Sequence, residues 1–194
     1  MQTYRESDLE FVFPDDWWVR GFDQMAAYQS LSGRGLKGVD FIAISPDRKL
    51  WLIEVKNYRP RRRLDREYRA TRKPPAKLAG DVAGKFTDSL RLIKIVNAYL
   101  HRSWWRRVQI WYRLNVRSNK ASNYAFWATA HHLASRGLAP EFVLWMETPE
   151  TNDDYDHRVY QELLALLPPG SNVIVAETEA PRGLPFRTRT LQET

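Results

Sequence analysis

A chain of 194 residues suffices for one domain with a proper buried core and is too short for two comfortable ones. Hydrophobic residues make up 43% and charged residues 27%, which excludes a disordered chain, and no apolar run approaches the ~20 residues needed to span a bilayer. Cysteine is absent, which excludes disulfides and thiolate metal sites, while a net charge of +7 points to a polyanionic partner.

The N-terminus, MQTYRESDLEF, has no basic segment followed by an apolar stretch, so no secretory leader is expected and a reducing cytoplasm is the natural location. Leu9 to Phe13 is a short apolar run stopped by Pro14 and reads as an edge strand. Asp16 to Ser32 reads as mainly helical in its second half, with Asp23 as N-cap and Gly33 and Gly35 ending it. Val39 to Ile44 is an apolar strand interrupted by Asp40, Ser45-Pro46-Asp47-Arg48 is turn chemistry, and Lys49 to Val55 is a second strand, so together they predict a β-hairpin.

The segment 59–77 follows as an irregular basic loop, or a β-excursion around Tyr68. Ala76 to Leu100 has helical spacing, with Leu78, Val82, Phe86, Leu90 and Ile93 on one stripe. Arg106 to Val116 fits a strand or a continuation of the helical region. Phe126 to Ala130 and Phe142 to Met146 read as strands, Asp156 to Leu167 as an amphipathic helix, and Asn172 to Glu177 as a last buried strand. The expected class is an α/β sandwich with a mixed sheet, in a single domain carrying a basic insertion at about 59–77.

The charge is clustered. Between Arg59 and Lys77 nine basic residues, including Arg61, Arg62, Arg63 and Arg66, face only Asp65 and Glu67, a net +7. Between His101 and Lys120 six more, including Arg106 and Arg107, face no acid, so the rest of the chain nets −6. Such clusters are the footprint expected for a nucleic-acid backbone; the alternative is a solvated surface. The interleaved Trp104, Trp105, Trp111 and Tyr112 read either as base-stacking residues or as core and interface aromatics.

Chemistry concentrates at Asp40 and at Trp51-Leu-Ile-Glu54-Val-Lys56. Strand alternation puts Glu54 and Lys56 on one face and Ile53 and Val55 on the other. A carboxylate ending so apolar a strand needs a cation, and either Lys56 or a metal ion meets that need. A tight two-residue turn pairs residue 40 with Ile53; a one-residue shift pairs it with Glu54. Two adjacent carboxylates repel unless a divalent cation sits between them, and oxygen-only ligands favour Mg²⁺ or Mn²⁺. The alternative is an ordinary Glu54–Lys56 salt bridge at a sheet edge.

Lys85, off the stripe of its helix, reads as a phosphate contact or an exposed surface lysine. His131 and His132, adjacent on a strand, face opposite ways and do not share a metal. The run Asn152 to Asp156 has a calcium-loop flavour without the required Gly and Glu, and reads as a solvated turn and helix N-terminus.

At Asp40 and Glu54-Val-Lys56 the sequence resembles the PD-(D/E)xK nuclease superfamily, in which an Asp opens the second core strand and an acid-x-Lys lies on the third. Val39 stands where the motif name has Pro. The resemblance implies a restriction-endonuclease-like αβββαβ core, a mixed central sheet flanked by helices, over about residues 9–180. It implies Mg²⁺- or Mn²⁺-dependent hydrolysis of phosphodiester bonds in DNA, with Asp40 and Glu54 as metal ligands and Lys56 assisting the attacking water; RNA is not excluded. Many members add an acid from the first helix, for which Asp23 is the candidate here, with Asp16 and Glu10 more remote. A homodimer or a partner protein is a further expectation. The alternative is a catalytically inactive nucleic-acid-binding or regulatory module of the same fold, including a component of a defence or mobile-element system.

Overall fold

Alternating apolar side chains carry the start of the chain into strands, and a computed structural model describes residues 1–22, 36–63, 66–68, 70–100, 123–136, 139–149 and 153–191. Strand β1 (Gln2–Glu6) turns into β2 (Leu9–Phe13) through Ser7 and Asp8, both at positive φ (52° and 63°), the backbone of a two-residue hairpin turn whose twist matches the strands. The strand β3 (Trp18–Gly21) opens an antiparallel meander with β4 (Phe41–Ile44) and β5 (Leu50–Asn57). A short ribbon, β6 (Arg61–Arg63) with β7 (Arg66–Tyr68), precedes helix α1 (Pro75–Leu100) and helix α2 (Asn123–Ser135). Strand β8 (Glu141–Glu147), helix α3 (Asp153–Leu166), and strands β9 (Asn172–Ala176) and β10 (Arg187–Thr190) complete the described elements.

The main sheet has the order β3-β4-β5-β8-β9 and is mixed, with β8 parallel to β5 and β9 parallel to β8. A three-stranded sheet, β1-β2-β10, covers one face of it. On that side Phe11, Phe13, Phe41, Ile53, Trp145 and Phe186 form an aromatic-rich core. On the other side Ile42, Leu52, Phe142 and Leu144 pack against α1, α2 and α3 through Val82, Phe86, Phe126 and Val159. Covered on both faces, β8 is buried along its whole length, as a parallel strand in a layered protein must be.

The hairpin, helix α1, β8, helix α3 and β9 lie where the sequence places them within a few residues. Other expectations need correction. Leu9–Phe13 is the central strand of the small sheet, not an edge strand, because β1 and β10 pair on either side of it. Residues 18–21 form β3. Of the two readings of the basic segment, the β-excursion around Tyr68 is the one found, as the β6–β7 ribbon. Phe126 to Ala130 is helical: Phe126, Ala130 and Leu133 recur at helical spacing and are buried, and the run is alanine-rich, so a short apolar stretch that fits either period resolves as helix. The proposed helix from Asp23 and the stretch Arg106 to Val116 lie outside the described residues.

Gly38 is required by close approach, since a Cβ there would fall 1.8 Å from the ring of Phe22, which is 1% exposed. Gly38→Ala is expected to cost on the order of 2 kcal/mol, seen as a lowered urea midpoint; an unchanged midpoint would show that Phe22 is not held against this segment.

Candidate active site

Residue 40 meets residue 54 because of the turn between β4 and β5. Ser45 and Lys49 are joined by a backbone hydrogen bond of 3.1 Å, Arg48 sits at φ 60°, and Arg48 N donates to Ser45 O at 2.9 Å. A three-residue loop closed by a left-handed residue results, in place of the tight two-residue turn. Phe41 therefore pairs with Ile53, and Asp40, one residue outside the ladder, comes level with Glu54. Alternation turns Ile42 and Ile44 on β4, and Leu52, Glu54 and Lys56 on β5, toward the helices, and Asp40, immediately before β4, comes within the field of Lys85 on α1.

The approach to Asp40 is held from α1. Ser89, fully buried, accepts a hydrogen bond from Val39 N at 2.9 Å, and Asp88 accepts one from Lys37 N at 3.2 Å. Phe22 N donates to Asp40 O at 2.8 Å, tying β3 to the same point. Asp40 Oδ2 accepts the Val55 N–H at 2.6 Å, which locks its carboxylate onto β5.

Glu54 is 0% exposed in the middle strand of the main sheet, between β4 and β8. The Glu54–Lys56 salt bridge is present, but it is buried in the middle of the sheet and not at an edge. Its Oε1 meets two ammonium groups, Lys56 Nζ from its own strand and Lys85 Nζ from α1 at 2.7 Å. Its Oε2 is buried and has no hydrogen-bond partner. Lys85 is therefore neither an exposed surface lysine nor remote from the carboxylates: the packing of Val82 and Phe86 on the sheet carries it over Glu54. Burial, then the neighbouring Glu54 charge, pushes Asp40 from 3.8 up to about 7, against the opposing pull of Lys85 and the Val55 N–H; Glu6 adds to the rise.

Glu6 and Ser89 escaped sequence reasoning, since nothing local marks a β1 acid or a helical serine as neighbours of residues 39 and 40. Glu147 also escaped it, although it repeats the signal of Glu54, an acid ending an apolar strand. It is fully buried on the opposite face, accepts Trp145 Nε1 at 2.9 Å and Thr178 N at 2.8 Å, and its Oε2 faces Arg59 Nη2 at 2.9 Å. Asn57 bonds Ser7 O at 2.7 Å and Arg59 N at 2.9 Å, so the exit from β5 is pinned to the β1–β2 turn.

Other predicted residues are not brought to this point. Glu10 is held in the small sheet by Arg189 and by Arg5 at 3.7 Å, and Asp16 lies exposed before β3. The backbones of Arg61, Arg62, Arg63 and Arg66 belong to the β6–β7 ribbon, while Asp23, Arg106 and Arg107 lie outside the described residues. His131 and His132 are consecutive on helix α2, not on a strand. The acids Asp153, Asp154 and Asp156 do begin helix α3, where the helix dipole favours them; Asp156 is not simply solvated, because burial and Glu177 raise it to about 6.

Among the described residues no group of three or more His, Asp or Glu side chains is arranged to hold a metal ion. The Asp40–Glu54 pair offers two carboxylates, one with an orphaned buried oxygen, and this donor set fits a hard divalent cation that keeps several of its waters. No family model matches the chain, and neither does any curated protein or solved structure. No helix among the described residues is long and apolar enough to cross a membrane.

The elevated Asp40 has a thermodynamic consequence. The unfolded chain ionises this group near pH 4 and the fold only near pH 7, so its contribution to stability is full below pH 4 and is lost as pH rises through about 7. Asp156 adds a slope of the same sign that ends near pH 6. In chelator, Asp40→Asn is expected to flatten the fall in urea midpoint between pH 6 and 8 and to stabilise the protein at pH 8 by on the order of 2 kcal/mol; a slope that survives the substitution would assign it elsewhere.

Proposed function

We propose that the protein is a divalent-cation-dependent nuclease that hydrolyses phosphodiester bonds in DNA. The observation that carries this reading is the convergence of Asp40, Glu54 and Lys56 on one face of the β4–β5 hairpin, with a buried, unpartnered Glu54 oxygen. The order of elements supports it. A three-stranded antiparallel meander, then helices, then a strand parallel to the third is compatible with the restriction-endonuclease-like core, with Asp40 immediately before the second strand and Glu54 on the third.

Asp40 and Glu54 would hold Mg²⁺ or Mn²⁺, which when bound polarises a phosphoryl oxygen and makes water a better nucleophile near neutral pH. The Val55 N–H keeps the Asp40 carboxylate facing β5, so the pair is preorganised rather than assembled on binding. Lys56, 30% exposed beside Glu54, is placed to orient the attacking water and to oppose charge developing on the phosphate. The β6–β7 ribbon follows β5 in the chain, and its sequence, with Arg61, Arg62, Arg63 and Arg66, is suited to gripping the DNA backbone.

The pairing of Glu54 with two lysines favours one competing reading, an inactive module in which cations have replaced the metal. Plasmid, linear and single-stranded DNA incubated with Mg²⁺ or Mn²⁺ decide between them. The nuclease cuts, and Asp40→Asn, Glu54→Gln and Lys56→Met each lower the rate about 100-fold or more while DNA is still bound. Binding without cutting in the unaltered protein establishes the inactive module. In either case neutralising Arg61, Arg62 and Arg63 together should lower the salt dependence of DNA binding by about three contacts.

A further inference from the structure

One carboxylate oxygen, Glu54 Oε1, holds two ammonium groups while its partner oxygen is buried and holds none. The two lysines differ in how they are carried. Lys56 stands on β5 itself and also bonds Val55 O at 3.3 Å, so its ammonium belongs to the strand that carries the carboxylate. Lys85 reaches Glu54 from another element, at the end of a four-carbon stem that is 25% exposed. A divalent cation shared by Asp40 and Glu54 would lie within a few ångströms of both ammonium groups, where like charges in a poorly solvated site repel strongly. Both stems reach solvent, 30% exposed for Lys56 and 25% for Lys85, and the ammonium carried by a different element from the carboxylate is that of Lys85.

We propose that Lys85 is a built-in competitor for the divalent cation at Glu54, holding the buried carboxylate when no metal is bound and turning outward, toward the approaching phosphate, when metal takes its place. The inference rests on the metal-dependent reading of the site and adds its regulation. Lys85 shares with Lys56 the compensation of the Glu54 charge in the sheet, so it adds to the stability of the metal-free protein. The same contact raises the metal concentration needed to load the site.

The test is a calorimetric titration of the full chain with Mn²⁺, comparing the unaltered protein with Lys85→Met and Lys85→Gln, alongside thermal unfolding in chelator and in saturating Mn²⁺. Removal of the competitor is expected to tighten Mn²⁺ binding about tenfold or more. In chelator the variants are expected to unfold several degrees lower, and saturating Mn²⁺ to close that gap. A residue that merely supports the site would weaken metal binding when removed. Equal or weaker binding by the variants therefore overturns the proposal while leaving the metal site intact. Failure of the unaltered protein and both variants to bind Mn²⁺ overturns this proposal together with the metal reading. Should Lys85→Met not fold, the glutamine variant, which keeps a polar tip of similar length, decides the matter.

Discussion

Placing Glu54 in the middle strand of a five-stranded sheet takes its carboxylate out of water, and an isolated ionised carboxylate in such surroundings would be prohibitively unfavourable. Lys56 and Lys85 make the burial tolerable, and each draws in a different part of the molecule. Lys56 is available because β5 continues beyond Glu54 to Asn57. Lys85 is available only because α1 lies across the helix-side face of the sheet, its Val82 and Phe86 packed in the same core as Ile42, Leu52 and Phe142. Docking of the helix and neutralisation of the carboxylate are thus one event, and helix α1 also holds residues 37 and 39 through Asp88 and Ser89. The hairpin supplies one carboxylate on each strand, and α1 determines how both are held.

The opposite face of the sheet repeats the device. Glu147, one strand away and on the small-sheet side, is as deeply buried as Glu54, and its charge is met by Arg59. There Trp145 and Thr178 donate to one carboxylate oxygen and the Arg59 guanidinium faces the other, which fixes the side chain in position. Each carboxylate keeps one buried oxygen without a hydrogen bond; that of Glu147 lies 2.9 Å from the Arg59 guanidinium, whereas both ammonium groups at Glu54 sit on its other oxygen. The Glu147 network also anchors the point at which the chain leaves β5. Arg59 reaches Thr190 as well, so the β6–β7 ribbon leaves the sheet from a point tied to both sheets.

Much of the candidate site is legible along the chain because its parts are local. Asp40, the turn and Glu54-Val-Lys56 lie within seventeen consecutive residues, and strand alternation is enough to put Glu54 and Lys56 on one face. The register is not legible to the same degree. It depends on whether Arg48 adopts a left-handed conformation, which a non-glycine residue does only when the surrounding structure holds it there. That one torsion separates a pairing of Asp40 with Ile53 from one with Glu54.

What the sequence determined by itself is what local periodicity and charge can encode: an α/β chain, the β4–β5 hairpin, the stripe of helix α1, the buried strand β8, and a basic segment following the acids. Tertiary structure alone decided the rest. Phe126 to Ala130 is apolar in a way that satisfies either period, and only its burial among α1 and the sheet makes it a helix. Leu9–Phe13 became a central strand because β10, more than 170 residues later, pairs with it. Lys85 lies 31 residues beyond Glu54, and no pattern within α1 distinguishes a lysine at the rim of its apolar stripe from one in solvent. Contacts between distant segments are set by which surfaces pack together, and that information is spread over the whole core rather than written beside any residue.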